Sequence, residues 1–140
     1  MRLKPFLWLI LPMLFLSGVL LLTGCQTAPS STASQAQRTV GKYQVQADLP
    51  AQGLKVREET YTLRVTDTSG QPVPGVTRVQ VTMPMAGGPS MTAPPTLTPS
   101  STPGTYTVKT EFTMAGDWTL SVKPNSNAEP VALALSVSES

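Results

Sequence analysis

A two-residue alternation of apolar and polar side chains dominates the chain beyond residue 38. In one segment, Tyr61, Leu63 and Val65 alternate with threonine and arginine residues. Such alternation places one face of a β-strand against a core and the other face in water. No stretch after residue 37 has the period of an amphipathic helix. The sequence therefore predicts an all-β domain, with six clear strands at residues 42–47, 60–66, 78–83, 106–112, 118–123 and 133–138.

The connections between these segments are rich in turn-forming residues. Residues 67–72 read Asp-Thr-Ser-Gly-Gln-Pro, and residues 124–127 read Pro-Asn-Ser-Asn. A seventh segment, residues 91–98, contains two prolines, so it can form at most a short edge strand, because proline cannot donate to a ladder. We therefore predict an immunoglobulin-like (Ig-like) antiparallel β-sandwich of about seven strands, spanning residues 39–140.

The core of this sandwich is predicted from the apolar strand positions. The chain has one cysteine, so no internal disulfide can support the fold and packing must stabilise it. Tyr106, which follows Gly104 and Thr105 at the start of a strand, suits a tyrosine corner of the kind seen in such sandwiches. The predicted core residues are Tyr61, Leu63, Val65, Val81, Tyr106, Val108, Phe112, Trp118, Leu120, Leu133 and Leu135.

The amino terminus has the layout of a bacterial lipoprotein signal. A basic start precedes the apolar run 6–22, and residues 22–25 read Leu-Thr-Gly-Cys. This resembles a lipobox, which implies removal of residues 1–24 as a signal peptide and acylation of Cys25 by fatty acids such as palmitate. The alternative is an uncleaved transmembrane anchor, although a run of 17 residues interrupted by Pro12 is at the lower limit for a span. Either interpretation places the rest of the chain outside the cytoplasm.

Residues 25–38 comprise the lipidated cysteine and a small, polar segment without hydrophobic period. Such a segment cannot bury enough apolar surface to order itself, so we predict a disordered tether. For a dozen flexible residues the r.m.s. reach is roughly 20 Å, which keeps the domain close to the membrane. Gln26 is not the aspartate that often signals inner-membrane retention, so the lipid is expected in the outer membrane, or in the cell membrane of a single-membrane organism.

The residue inventory argues against catalysis and nucleic-acid binding. The chain has no histidine, which removes the commonest general base and metal ligand. Acylation of Cys25 consumes the only thiol, and the carboxylates are scattered, so we expect no enzymatic activity. Beyond residue 24, eight basic residues balance eight acidic ones, and no basic patch for nucleic acid is present.

Four methionines beyond the signal lie in two short stretches, 83–91 and 113–116. If the strands alternate in direction, the strand ending at Met83 and the strand ending at Phe112 run the same way, so both stretches lie at one end of the sandwich. Thioether sulfur is a soft, neutral ligand that prefers Cu(I) or Ag(I) to hard ions. The alternative is that the methionines are packing residues, since Met83 continues an inward-facing set. The candidate ligands are Met83, Met85, Met91 and Met114.

Residues 59–123, with the final strand, resemble YtkA-like domains and the related FixH-type extracytoplasmic domains. The motifs that carry the resemblance are "DTSGQPVPG", "VQVTMPMAG" and "PGTYTVKTEFTMAGDWTLSV". The resemblance implies an Ig-like sandwich, a copper-related role, and copper-handling or cytochrome-oxidase-assembly proteins as partners. The resemblance implies that Met83, Met85 and Met114 are ligands, because they stand at the matching positions of the motifs. Met91 is included on spacing alone. The histidine that members often place near the methionine run is missing here, which would weaken a copper site or restrict it to Cu(I).

Two functions remain open from the sequence. The first is a lipid-anchored binding or accessory module that handles Cu(I) transiently through thioethers. The second is a structural or protein-interaction Ig-like module without a metal site, in which the loop 84–99 recognises a partner. Convergence of three or more of the sulfur atoms favours the first function, and separation of the thioethers favours the second.

Overall fold

The computed structural model describes residues 34–140, which form ten strands and no helix. None of these residues therefore belongs to an apolar helix of membrane-spanning length. The predicted signal peptide and Cys25 lie outside the described residues. The strands are β1 (Gln35–Val40), β2 (Tyr43–Asp48), β3 (Leu54–Lys55), β4 (Glu58–Asp67), β5 (Arg78–Met83), β6 (Met91–Thr92), β7 (Thr96–Pro99), β8 (Thr105–Glu111), β9 (Gly116–Lys123) and β10 (Val131–Ser138).

The strands form two five-stranded sheets, and the predicted Ig-like β-sandwich is confirmed. The first sheet has the order β1-β2-β4-β8-β7, and the second has the order β3-β10-β9-β5-β6. All strand pairs are antiparallel except the two-residue pair of β3 with β10, which is parallel. The six strands that alternation predicted correspond to β2, β4, β5, β8, β9 and β10.

The core lies between the two sheets and contains all eleven residues predicted for it. Trp118 and Phe112 are its two largest fully buried side chains, and their rings meet edge to face with centroids 5.4 Å apart. Edge-to-face contact is a favoured geometry for aromatic pairs, because the positive edge of one ring meets the negative face of the other. This pair lies under the connection between β8 and β9 and fixes that end of the sandwich.

Strand β1 begins at Gln35, four residues before the predicted start of the sandwich at residue 39 and inside the segment predicted to be a tether. It pairs with β2 along its whole length through a tight turn at Gly41, where φ is +58°. Only Ala36 and Val40 pack against the core, so β1 has little apolar content to reveal it. Pairing with a partner strand, rather than amphipathic alternation, orders this segment.

Residues 91–99 form two short edge strands rather than one. Strand β6 pairs with β5 in the second sheet, and β7 pairs with β8 in the first sheet. Ala93, Pro94 and Pro95 connect them, so the chain crosses from one sheet to the other at this point. The limit to a short edge position, inferred from the prolines, is confirmed.

Tyr106 differs from the expected tyrosine corner. Its hydroxyl accepts hydrogen bonds from the backbone N–H groups of Gly75 and Val76, at 2.9 Å and 3.3 Å, about thirty residues upstream. A tyrosine corner would instead bind backbone only a few residues upstream. Tyr106 therefore fastens the segment before β5 to the start of β8, which joins the two sheets at the end opposite the β8–β9 connection.

Candidate functional site

The two methionine-bearing connections meet at one end of the sandwich. Strand β9 begins at Gly116 and pairs antiparallel with β5, so its start lies beside the end of β5 at Met83. The connections after β5 (residues 84–90) and after β8 (residues 112–115) therefore open at the same end, as strand parity predicted. We call this end, with Met83, Met85, Met91 and Met114, the methionine pole.

Met83 and Met91 form a cross-strand pair between β5 and β6. Directly opposed residues of an antiparallel pair project to the same face, with Cβ atoms about 4.5–5.5 Å apart. Met83 is 8% exposed and belongs to the core, as the packing interpretation expected, and Met91 packs partly buried against the same core. The two thioethers thus share the inner face at the edge of the second sheet.

Gly116 provides the space that the Met83 sulfur uses. A Cβ atom on Gly116 would lie 2.9 Å from Met83 Sδ, closer than such atoms approach each other. The backbone φ of Gly116 is +143°, a conformation that side-chain-bearing residues rarely adopt. The backbone at the start of β9 therefore favours glycine, and the absence of a side chain there leaves the Met83 thioether its present position.

Thr113 connects the β8–β9 connection to the methionine pair. Its hydroxyl Oγ1 donates a hydrogen bond to Met91 Sδ at 3.5 Å. The thioether is a weak acceptor with a second lone pair still available after this contact. The sulfur of Met91 thus has a neighbour in the β8–β9 connection, which contacts strand β6 at the pole.

Met114 contributes its backbone to the pole and leaves its side chain accessible. Its carbonyl accepts the indole N–H of Trp118 at 3.2 Å, which closes the β8–β9 connection. Met85 and Met114 are 40% and 37% exposed, and they are the exposed large hydrophobic residues of the described chain. The pole therefore combines two shielded thioethers with two accessible ones.

A buried carboxylate near the same end was missed by sequence reasoning. Glu59 is 5% exposed, and its Oε1 accepts hydrogen bonds from Arg57 Nε at 2.8 Å and from the Lys55 backbone N–H at 3.3 Å. The carbonyl of Arg57 in turn accepts the N–H of Phe112 at 3.0 Å. The predicted strand began at residue 60, whereas β4 begins at Glu58 and continues the inward-facing alternation to Glu59. Its contacts are those of a structural ion pair.

Tyr61 lies beside this carboxylate on the inner face of β4. Its hydroxyl is 3.3 Å from Thr110 Oγ1, and burial raises the pKa of Tyr61 to about 12, although the hydrogen bond to Thr110 opposes the shift. Among residues 34–140, no group of three or more histidine, cysteine, aspartate or glutamate side chains could hold a metal ion. The soft donor atoms of the methionine pole are its four thioether sulfurs.

A cavity of about 350 Å³ opens at the opposite end of the sandwich. Val76, Leu97 and Tyr106 lie among its lining residues, and no charged side chain from residues 34–140 lines it. It lies between the segment before β5 and the β7–β8 connection, so it is not part of the methionine pole. Cys25, the predicted lipidation site, lies outside the described residues.

Comparisons with known proteins give a family and a distant structural likeness. A family model described as YtkA-like matches residues 37–123. No curated protein matches the sequence. Among solved structures, the chain is similar to one described as the crystal structure of the Lin-41 filamin domain, with a TM-score of 0.39 and 20% sequence identity, over 61% of this chain and 80% of that chain.

Proposed function

Because the chain belongs to the YtkA-like family, we propose that it is an extracytoplasmic lipoprotein whose YtkA-like domain binds Cu(I) reversibly at the methionine pole. Cu(I) is then cargo, held for buffering or for delivery to copper-handling or oxidase-assembly proteins, and the protein is a binding module rather than an enzyme. The acylated Cys25 anchors the domain to the cell membrane, or to an outer membrane where one exists.

The gathering of the methionines at one end is the observation that carries the copper proposal. Every methionine beyond the signal belongs to this pole. Pairing of Met83 with Met91, and the contact of Met91 with Thr113, bring three separate segments of chain together there. The β5–β6 pair and the β8–β9 connection thus support a shared site. Convergence of the sulfur atoms on one ion is a prediction of the proposal.

The chemistry of the donors favours Cu(I) over harder ions. Thioether sulfur is soft and neutral, and the chain has no histidine that would favour Cu(II). Neutral ligands do not compensate the charge of the ion, so binding is exchangeable rather than permanent. The exposed side chains of Met85 and Met114 give incoming ions and acceptor proteins access to the pole.

A second candidate function is a structural or protein-interaction module without a metal site. The burial of Met83 in the core favours it, because methionine is also a flexible packing residue. In this case the exposed connection at residues 84–90, followed by the two short edge strands, recognises a protein partner.

Titration of Cu(I) against a competing chelator separates the two functions. We compare the wild-type protein with a variant that carries Met83→Leu, Met85→Leu and Met114→Leu, because leucine keeps the apolar volume and removes the sulfur. The copper proposal expects at least tenfold weaker binding by the variant. Trp118 is the only tryptophan beyond the signal, so its fluorescence reports both folding and events at the pole. Equal Cu(I) affinity of the two proteins would contradict the copper proposal and favour the second function.

The anchor is tested separately with Cys25→Ser. We expect the wild-type protein in the membrane fraction with the mass of an acylated product, and we expect the variant to carry no lipid. Mass spectrometry of the amino-terminal peptide distinguishes the two. An unmodified Cys25 in the wild-type protein would contradict the lipoprotein proposal and leave the copper proposal intact.

A further inference from the structure

Thr113 is the polar residue of the methionine pole that contacts a thioether. It lies in the β8–β9 connection next to Met114, and its hydroxyl donates to Met91 Sδ on β6 at 3.5 Å. Thr113 itself is exposed, so water could satisfy its hydroxyl as well as the sulfur does. The hydrogen bond is therefore not needed to satisfy a buried polar group. Its consequence is the position that it gives to the Met91 side chain.

Hydrogen bonding to one lone pair restricts how the Met91 side chain can rotate. Methionine has three rotatable side-chain bonds and loses much rotamer freedom when it is fixed. When Thr113 already restricts the Met91 side chain, less conformational entropy is lost on binding an ion. Preorganisation strengthens binding in this way. The other lone pair of the thioether stays available for coordination.

Met83 is the natural partner of Met91 in such a site. The two residues are directly opposed across β5 and β6, and the sulfur of Met83 is itself confined against Gly116. Both thioethers are thus held by the fold, whereas the side chains of Met85 and Met114 are exposed. The shielded pair is positioned to hold an ion, and the accessible pair is positioned to exchange it.

We propose that Thr113 is a positioning residue of the methionine pole, whose hydroxyl orients Met91 so that Met83 and Met91 form the resident pair of Cu(I) ligands. The inference rests on the proposed copper function and specifies which thioethers hold the ion. It also assigns the β8–β9 connection a role in binding that does not depend on the sulfur of Met114.

Two substitutions separate the hydroxyl from the shape of the side chain. Thr113→Val keeps the size and removes the donor, and Thr113→Ser keeps the donor. We expect Thr113→Val to weaken Cu(I) binding, measured by chelator competition, by roughly three- to fivefold, the lower part of the range for one hydrogen bond, because the thioether is a weak acceptor. Thr113→Ser should stay within about twofold of the wild-type affinity.

A metal-free measurement tests the same contact in the apo protein. Hydrogen peroxide oxidises a thioether when a sulfur lone pair attacks one peroxide oxygen, the O–O bond breaks, and water leaves with formation of the sulfoxide. A donated hydrogen bond makes the sulfur less nucleophilic, so Met91 should oxidise at least about twofold faster in Thr113→Val than in the wild-type protein or Thr113→Ser. Peptide mass spectrometry resolves Met91 from the other methionines.

The outcomes distinguish this inference from the function on which it rests. If the wild-type protein binds Cu(I) and Thr113→Val binds it equally well or better, the positioning role is wrong and the copper function stands. Equal weakening by Thr113→Val and Thr113→Ser would also overturn it, because the hydroxyl would not be the cause. If the wild-type protein does not bind Cu(I), the proposed function fails and the positioning role fails with it.

Discussion

Gly116 connects backbone conformation to the packing of the methionine pole. Its φ of +143° lies in a region that is essentially reserved for glycine, and the sulfur of Met83 occupies the position next to its missing side chain. Of these two constraints the backbone is the more costly, because the contacting atom is the far end of a flexible side chain and can move. A substitution at Gly116 therefore tests the backbone conformation at the start of β9 more than the packing of the Met83 thioether.

Gly116→Ala should lower the free energy of unfolding by about 1–3 kcal/mol, the usual cost of a residue forced into a glycine-specific conformation. Gly88→Ala is the matched control in the other loop of the pole, where a Cβ atom would meet nothing within 4 Å. It should change stability by less than about 0.5 kcal/mol. Urea unfolding followed by Trp118 fluorescence measures both, and equal stability of the two variants would contradict the assigned role of Gly116.

Tyr61 makes the stability of the domain sensitive to alkaline pH. Burial raises its pKa to about 12 in the folded protein, against an ordinary value of 10.0. Between these values the folded state binds the phenolic proton and the unfolded state has lost it, so raising the pH favours unfolding. The contribution is fully present below pH 10 and is lost as the pH rises to about 12 and above.

A comparison of wild-type protein with Tyr61→Phe isolates this contribution. The wild type should lose roughly 2–3 kcal/mol more unfolding free energy than the variant as the pH is raised from 9 to above 12. The other ionisable residues are common to both proteins, so their titration cancels in the difference. Denaturant unfolding at several pH values measures it, and parallel pH profiles for the two proteins would show that Tyr61 titrates normally in the fold.

Single residues also show what alternation can and cannot predict. Leu63 and Val81 were assigned to the core because apolar side chains at every second position have one favourable environment. Glu59 occupies an equivalent inward position, but its burial depends on Arg57 and on the Lys55 backbone, which no local pattern announces. The partner of Tyr106 lies thirty residues away, so a local turn motif could not identify it.

At the scale of elements, β1 shows the same limit. A strand whose outer face is polar and whose inner face contributes only Ala36 and Val40 has a weak hydrophobic pattern. Its position is determined by six paired residues of β2 and by a hydrogen bond from Arg38 Nη1 to the carbonyl of Ala132 at 3.4 Å. This contact joins β1 to the second sheet and closes one side of the sandwich.

Two deletions locate the start of the stable domain. In a form that lacks the lipidated cysteine, removal of residues 26–33 should leave the unfolding free energy within about 0.5 kcal/mol of the parent. Removal of residues 26–40 deletes β1, uncovers the edge of β2, and should cost at least about 2 kcal/mol, the burial of one valine-sized side chain or more. Urea unfolding of both forms provides the measurement. Equal stability of the two forms would place the boundary after residue 40, close to the start at residue 39 that the tether prediction gave.

The proline-containing segment after the methionine loop shows how an ambiguous pattern resolves at the level of elements. Pro94 and Pro95 rule out a continuous central strand, but they do not say which sheet the flanking residues join. In the fold, the residues before them pair with β5 and those after them pair with β8. Which sheet each half joins depends on the positions of β5 and β8 in the folded domain. The local sequence could therefore predict an edge strand but not the sheet to which it belongs.

The whole molecule has two chemically different ends. The methionine pole contains all the sulfur beyond residue 25, and the opposite end contains the uncharged cavity and the hydroxyl of Tyr106. Strand parity placed both methionine stretches at one end by counting residues 91–98 as one returning strand. Strands β6 and β7 together act as that strand, because β6 runs antiparallel to β5 and β7 runs antiparallel to β8, so both lead away from the methionine pole. The contacts of Met91 with Thr113 and of Met83 with Gly116 depend on side-chain packing and could not be read from the sequence.

The path of the chain into β1 relates these two ends to the proposed membrane anchor. Gln35 pairs with Asp48, and β1 then runs to Val40, which pairs with Tyr43 at the end opposite the methionines. Gln35, the first residue of β1, therefore lies nearer to the methionine pole than Val40 does. Nine peptide steps join Cys25 to Ser34, which span at most roughly 30 Å. An anchored domain should consequently hold its methionine pole nearer to the bilayer than its opposite end.

Fluorescent labels at the two ends test this orientation. Acylation consumes the thiol of Cys25, so Ala86→Cys at the methionine pole and Ser101→Cys at the opposite end each introduce one reactive thiol at an exposed position. In vesicles that carry acceptor-labelled lipid, energy transfer should be more efficient from residue 86 than from residue 101, because its average distance from the lipid surface is shorter. Copies with Cys25→Ser, which lack the anchor, should show little transfer from either position. Equal transfer from the two labels in the anchored protein would show that the path of β1 does not orient the domain, and stronger transfer from residue 101 would place the thioethers on the side away from the membrane.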